Sequence, residues 1–232
     1  MNLKNKNNLL YAIYLIIIFI LLCIIVFKIV IKNNTNDNKD NLENKENIID
    51  KNDKRYNNYV FLGDSITERY PVTELFNNKP IIKSGISGYE TKDILDNLND
   101  LVYIYNPTKV FILIGTNDLK YKDSDYNIVY ENIIKIIENI KEKRKLTNIY
   151  LESILPVNNS FEAAGFRNNI TISKLNNKLN KYCNKNNITY INIYDMLLDK
   201  DNNLDVMYTD DGLHLNGLGY GKISMEIDKY ME

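Results

Sequence analysis

Tryptophan is absent from this sequence, and cysteine, proline and histidine are scarce, at two, four and one residues. Cys23 lies in an apolar run and Cys183 in a polar helical stretch far along the chain, so neither a disulfide framework nor a metal-ligand cluster can be drawn. No metal and no cofactor is expected. An excess of charge is missing too, because 29 basic and 30 acidic side chains leave a formal net charge of −1. Without a broad basic field, nucleic acid is not an expected partner. With one histidine in the chain, any chemistry that needs an imidazole falls to His214.

Long apolar runs are also rare, with one exception. Leu9 to Phe27 carries no charge, and with Ile29, Val30 and Ile31 it extends past Lys28. At about 1.5 Å per helical residue, that length crosses a hydrocarbon core of roughly 30 Å. No small-residue cleavage pattern follows it, so the expectation is an uncleaved, single-pass membrane anchor with the large C-terminal part outside the cell. From Lys32 to Tyr56 large apolar groups nearly vanish, which predicts a disordered polar tether holding the rest within roughly 30 Å of the bilayer. The predicted organisation is a short flank at residues 1–8, a transmembrane anchor at 9–31, a tether at 32–56 and one globular domain at 57–232.

Within that domain, short β-branched or aromatic runs alternate with helical patterns. Strands are predicted over Tyr59 to Leu62, Pro80 to Lys83, Lys109 to Ile114, Asn148 to Ser153 and Thr189 to Ile193. Their nearly continuous apolar character suits strands covered on both faces. Apolar stripes with a period near 3.6 predict helices from a Thr91 cap through Ile94 to Tyr105, from Tyr126 to Ile140, from Ile170 to Asn184 and from Gly217 to Met231. The expected fold class is α/β, a three-layer α/β/α sandwich with a mainly parallel five-stranded sheet of flavodoxin-like type. Its ligand crevice would lie at the carboxyl ends of the strands.

Four segments fall at those strand ends. Gly63-Asp64-Ser65-Ile66-Thr67 follows the first strand directly and would put Ser65 at the mouth of the crevice. Ser84 to Thr91, with Gly85 and Gly88, follows the second strand and opens a helix; it could offer backbone N–H groups to an anion or be a tight connection. Gly115-Thr116-Asn117-Asp118 follows the third strand and could aim the Asn117 amide into the same crevice or form an Asx turn. Asp211-Gly212-Leu213-His214 precedes the last helix and sets an acid three residues from the only histidine.

In content and order, these four motifs resemble the SGNH hydrolases, also called GDSL esterases and lipases, over about Tyr59 to Met231. The composition looks like that of an AT-rich bacterial genome, so the chain is similar to a membrane-anchored bacterial member. The resemblance implies a serine hydrolase domain with Ser65 as nucleophile and Asp211 and His214 as its acid–base pair. The Ser65 N–H, the Gly88 N–H and the Asn117 side chain would form the oxyanion hole. The second segment departs from the family pattern, with Lys83 and Ser84 where an asparagine often precedes the glycines, so Gly88 is chosen over Gly85 on its spacing from Thr91.

A serine hydroxyl is a weak nucleophile until a neutral imidazole takes its proton, and a carboxylate on the other ring nitrogen fixes the tautomer. The expected reaction is therefore ester cleavage through an acyl-serine. No long apolar lid segment separates the motifs, which favours a short acyl group, such as acetate on an envelope glycan. A lysophospholipase-type lipid acylhydrolase and an O-acetyltransferase are the alternatives, and a non-catalytic membrane-anchored binding protein is the remote one. The expected partners are a glycan or lipid ester substrate and, through the N-terminal helix, the membrane; oligomeric state has no sequence signal.

Overall fold

The computed structural model describes residues 58–231. The predicted anchor at 9–31 and tether at 32–56 lie outside the described residues. Among the described residues, no helix is long and apolar enough to cross a membrane.

Five strands form one sheet: β1 (Tyr59–Gly63), β2 (Ile81–Gly85), β3 (Lys109–Leu113), β4 (Asn148–Glu152) and β5 (Thr189–Ile191). Their order is β2-β1-β3-β4-β5, and every pairing is parallel. All five predicted strands are present, with ends displaced by at most two residues. After β1 the chain turns to one side to build β2, then crosses back to lay β3 on the other flank of β1. That reversal opens a crevice beyond the carboxyl ends of β1 and β3, the usual ligand position in such sheets.

Helices cover both faces. Seven α-helices are described: α1 (Ser65–Glu68), α2 (Val72–Leu75), α3 (Thr91–Asp96), α4 (Leu98–Leu101), α5 (Tyr126–Lys143), α6 (Asn169–Lys185) and α7 (Gly217–Ile227). Alternation along the strands sends Val60, Leu62, Val110 and Ile112 to one face, where they pack with Ile94 of α3, Ile133 of α5 and Leu175 of α6. It sends Phe61, Phe111 and Leu113 to the other, where they meet Tyr70, Phe76 and the α7 residues Tyr220 and Ile223. Each of these buried side chains contributes roughly 1.5–3 kcal/mol by leaving water, which is why nearly uniform apolar strands end up between two helical layers.

Three helix expectations need correction. Glu90, not Thr91, caps α3: its carboxylate accepts the Asp93 N–H, and its own N–H donates to Asp93 Oδ2 at 2.8 Å. Thr91 is drawn the other way, its N–H and hydroxyl both going to the Asp118 carboxylate. The continuous helix expected through Tyr105 breaks at Asn97, whose side-chain amide donates to the Asp93 carbonyl at 2.8 Å. That bond competes with the helical ladder, a habit of asparagine. The last helix changes to a 3₁₀ turn at Asp228–Tyr230, inside the expected Gly217 to Met231 span.

Candidate active site

The turn that carries Ser65 is fixed by small residues around it. A Cβ on Gly63 would lie 2.3 Å from the Leu113 carbonyl oxygen, and one on Gly85 would lie 2.3 Å from the Glu68 N. Only glycine lets α1 start this close to β2 and β3. Asp64 caps α1 through Oδ1, which accepts the Ile66 N–H at 2.9 Å, and Ser65 is the first helical residue. The first N–H groups of a helix have no intrahelical acceptor, so the Ser65 amide points out of the helix start. From below, the Tyr220 hydroxyl of α7 donates to the Ile66 carbonyl at 2.7 Å and braces the same turn.

Ser65, His214 and Asp211 are brought together in one chain of hydrogen bonds. Ser65 Oγ lies 3.0 Å from His214 Nε2, and His214 Nδ1 lies 2.7 Å from Asp211 Oδ2. A carboxylate only accepts, so the ring proton belongs on Nδ1 and Nε2 is left as an acceptor for the serine hydroxyl. Asp211 Oδ1 also accepts the N–H groups of Leu213 at 2.9 Å and His214 at 2.8 Å. Burial pushes the Asp211 carboxyl up, but the His214 ring and these amides outweigh it and hold it down at about 2. Thr209 closes the loop: its hydroxyl donates to the His214 carbonyl at 2.7 Å and accepts the Gly212 N–H at 2.9 Å. Gly212 adopts φ +78°, a conformation this four-residue turn requires, and any Cβ there would strike the Phe161 side chain at 2.6 Å.

The other predicted residues gather on a second side. Gly88 sits in the turn after β2 at φ +84°, and a Cβ added there would meet nothing within 4 Å. Gly85, by contrast, is the last residue of β2 and is paired with Gly63. Buried Asn117 opens the 3₁₀ turn Asn117–Leu119 that follows β3 and donates from Nδ2 to the Tyr89 carbonyl at 3.0 Å, next to Gly88. An amide nitrogen carries two hydrogens, so one stays available to a ligand.

Sequence reasoning missed the residue behind Asn117. Arg167 is buried in the loop between β4 and α6, and its Nη2 donates to Asn117 Oδ1 at 3.1 Å while its Nε donates to the Thr116 carbonyl at 2.7 Å. The available signal was compositional: the chain has only four arginines among its 29 basic residues, and a fork of fixed donors is something lysine cannot supply. Asp64 shares this buried region, and one of its oxygens, Oδ2, has no hydrogen-bond partner. Burial raises the Asp64 carboxyl to about 7, with the Ile66 N–H and the Arg167 charge opposing the rise. Among the described residues, no group of three or more His, Cys, Asp or Glu side chains could hold a metal ion.

A parallel α/β sheet with a serine, an imidazole and a carboxylate linked at its carboxyl edge has the construction of a hydrolase. This chain belongs to the GDSL-like lipase/acylhydrolase family, whose profile matches residues 61–222. A Streptococcus pneumonia protein described by reference to platelet activating factor has a solved structure similar to this one, at 33% sequence identity and TM-score 0.72, over 88% of this chain and 97% of that one. A GDSL-like lipase from Bacteroides thetaiotaomicron VPI-5482 is similar at 26% identity and TM-score 0.66, over 75% and 87% of the two chains. A curated relative named N-acylneuraminate cytidylyltransferase, from Escherichia coli O18:K1:H7, is 30% identical over 74% of this chain and 39% of its own length. The chain thus spans about two fifths or less of the curated relatives it matches. The acylhydrolase class follows from the family.

Proposed function

We propose that this protein is a serine esterase that cleaves a short acyl ester, acetate foremost, from an envelope glycan by way of an acyl-serine. The observation that carries the reading is the unbroken link from Ser65 Oγ through the His214 ring to Asp211, at 3.0 and 2.7 Å. Ser65 Oγ attacks the ester carbonyl as His214 Nε2 takes the hydroxyl proton, and Asp211 stabilises the imidazolium without becoming protonated. The oxyanion that forms meets the Ser65 N–H, the Gly88 N–H and the free hydrogen of Asn117 Nδ2. Collapse expels the alcohol, which takes the proton from His214. Water, deprotonated by the same ring, then releases the acid and restores Ser65.

The glycan assignment draws support from the curated relatives, whose name refers to an acylated sugar. A lipid ester is the second reading, supported by the relative described by reference to platelet activating factor. Transfer of the acyl group to a sugar hydroxyl uses the same acyl-serine and differs only in the acceptor. For location, the apolar run at residues 9–31 supports a single-pass anchor with the hydrolase domain outside the membrane.

Ser65→Ala tests the nucleophile: turnover of a chromogenic acetate and labelling by a fluorophosphonate should both vanish while the thermal transition persists. Residual turnover at more than about one part in a thousand in the folded variant refutes the assignment. Assay of acetate and fatty acid released from envelope fractions separates the glycan from the lipid reading.

A further inference from the structure

The guanidinium of Arg167 has no direct line to Ser65, yet it is almost fully enclosed, at 5% exposure, and nearly all its donors are used. Nη1 donates to the Ala163 and Ala164 carbonyls at 3.2 and 3.1 Å, which fastens the side chain to its own loop. Nε and Nη2 reach out of that loop to the Thr116 carbonyl and to Asn117 Oδ1. Arginine can only donate, so the atom of the Asn117 amide that faces it must be oxygen. The amide nitrogen is then forced to the opposite side, where Tyr89 accepts one hydrogen at 3.0 Å.

We propose that Arg167 is a positioning residue for the oxyanion site: its fork locks the Asn117 amide with the nitrogen turned to the crevice beside Gly88. Without the guanidinium, only the bond to the Tyr89 carbonyl opposes a half-turn of the amide, which would exchange donor for acceptor and set a carbonyl oxygen against the developing negative charge. The Nε bond to Thr116 adds control of the backbone immediately before Asn117, so the side chain is fixed at its root and at its tip. Burial pushes the guanidinium down from its usual value; its four hydrogen bonds, with the Asp64 carboxyl nearby, offset part of the cost of enclosing it. The inference rests on Asn117 acting as an oxyanion donor.

The test uses the full chain and a chromogenic acetate ester, with Asn117→Ala, Arg167→Gln, Arg167→Lys and the double variant Asn117→Ala/Arg167→Gln. Arg167→Gln should lower kcat about 10–100-fold with KM within about twofold. In the Asn117→Ala background the same change should lower kcat by less than about twofold, because the group it positions is gone. A purely structural role predicts instead that the two losses multiply, and that result overturns the proposal. If Asn117→Ala leaves kcat unchanged, the oxyanion reading fails and the inference falls with it; if Asn117→Ala is slow but Arg167→Gln is not, only the inference fails. Thermal unfolding establishes that each variant is folded. Should Arg167→Gln not fold, Arg167→Lys, which keeps the charge but loses the fork, decides the matter: wild-type kcat in that variant overturns the proposal.

Discussion

Apart from its contact with Ser65, His214 is held by residues at most five positions away, whereas Asn117 is held by Tyr89, 28 positions before it, and Arg167, 50 positions after it. The loop that carries Asp211 and His214 is nearly self-contained: Asp211, Thr209 and the backbone between them fix the ring by short-range bonds, and the antiparallel bridge between Thr209 and Leu215 closes its base. The Asn117 side of the site exists only once β1, β2, β3 and the loop after β4 have assembled. A site can thus join one half specified within a few residues to another specified by the whole sheet.

The widest break in that contrast would come from Asp211→Asn. Asparagine retains an acceptor for the Leu213 and His214 amides, so the loop should keep its shape, but it favours the wrong ring tautomer. Turnover should fall about 10⁴-fold with little change in melting temperature. A loss below tenfold would mean that the carboxylate does not orient His214. Asn117→Ala comes next, with an expected loss of about 10²–10³-fold in kcat and little change in KM. A pure KM effect would show that Asn117 binds ground-state substrate and is no oxyanion donor.

The smallest effect concerns the carboxyl groups themselves. Asp211 is satisfied locally and held at about 2, so its contribution to stability is present above its usual value of 3.8 and lost as pH falls through about 2. Glu152, at the end of β4, is 2% exposed, its Oε2 has no partner, and burial raises it to about 8. Between its usual 4.5 and about 8 the folded chain keeps a proton that the unfolded chain releases, so stability falls as pH rises through that window. Asp64 acts in the same sense up to about 7. Glu152→Gln should remove the upper part of this slope: its melting temperature relative to wild type should be higher at pH 8.5 than at pH 5 by at least about 5 °C. Parallel profiles would show that Glu152 titrates as an ordinary exposed carboxyl.

The same division explains what could be read from the sequence. The strands were legible because burial on both faces leaves uninterrupted runs such as Val110 to Ile114. Ser65 and the Asp211 to His214 turn were legible as candidates because each lies within a short stretch beside a strand end or a helix start. Arg167 was not, since nothing in the residues around it announces a partner 50 positions away. The misplaced cap at Thr91 has the same origin: locally it is a good cap, but Asp118 reaches it from the next strand's loop and Glu90 takes the role. The break at Asn97 arose from a side chain competing for a backbone carbonyl, which an apolar stripe does not reveal.

The segment from Asn158 to Arg167 is tied down at its two ends. The Asn158 N–H donates to the Gly212 carbonyl at 2.8 Å, and Arg167 grips Thr116 and Asn117 at the other end. A stretch stapled in this way can exchange its exposed side chains while its ends and the buried Ala164 stay put. Natural variation at the exposed positions Ser160, Glu162 and Phe166 should therefore leave the Ser65, His214 and Asn117 contacts in register.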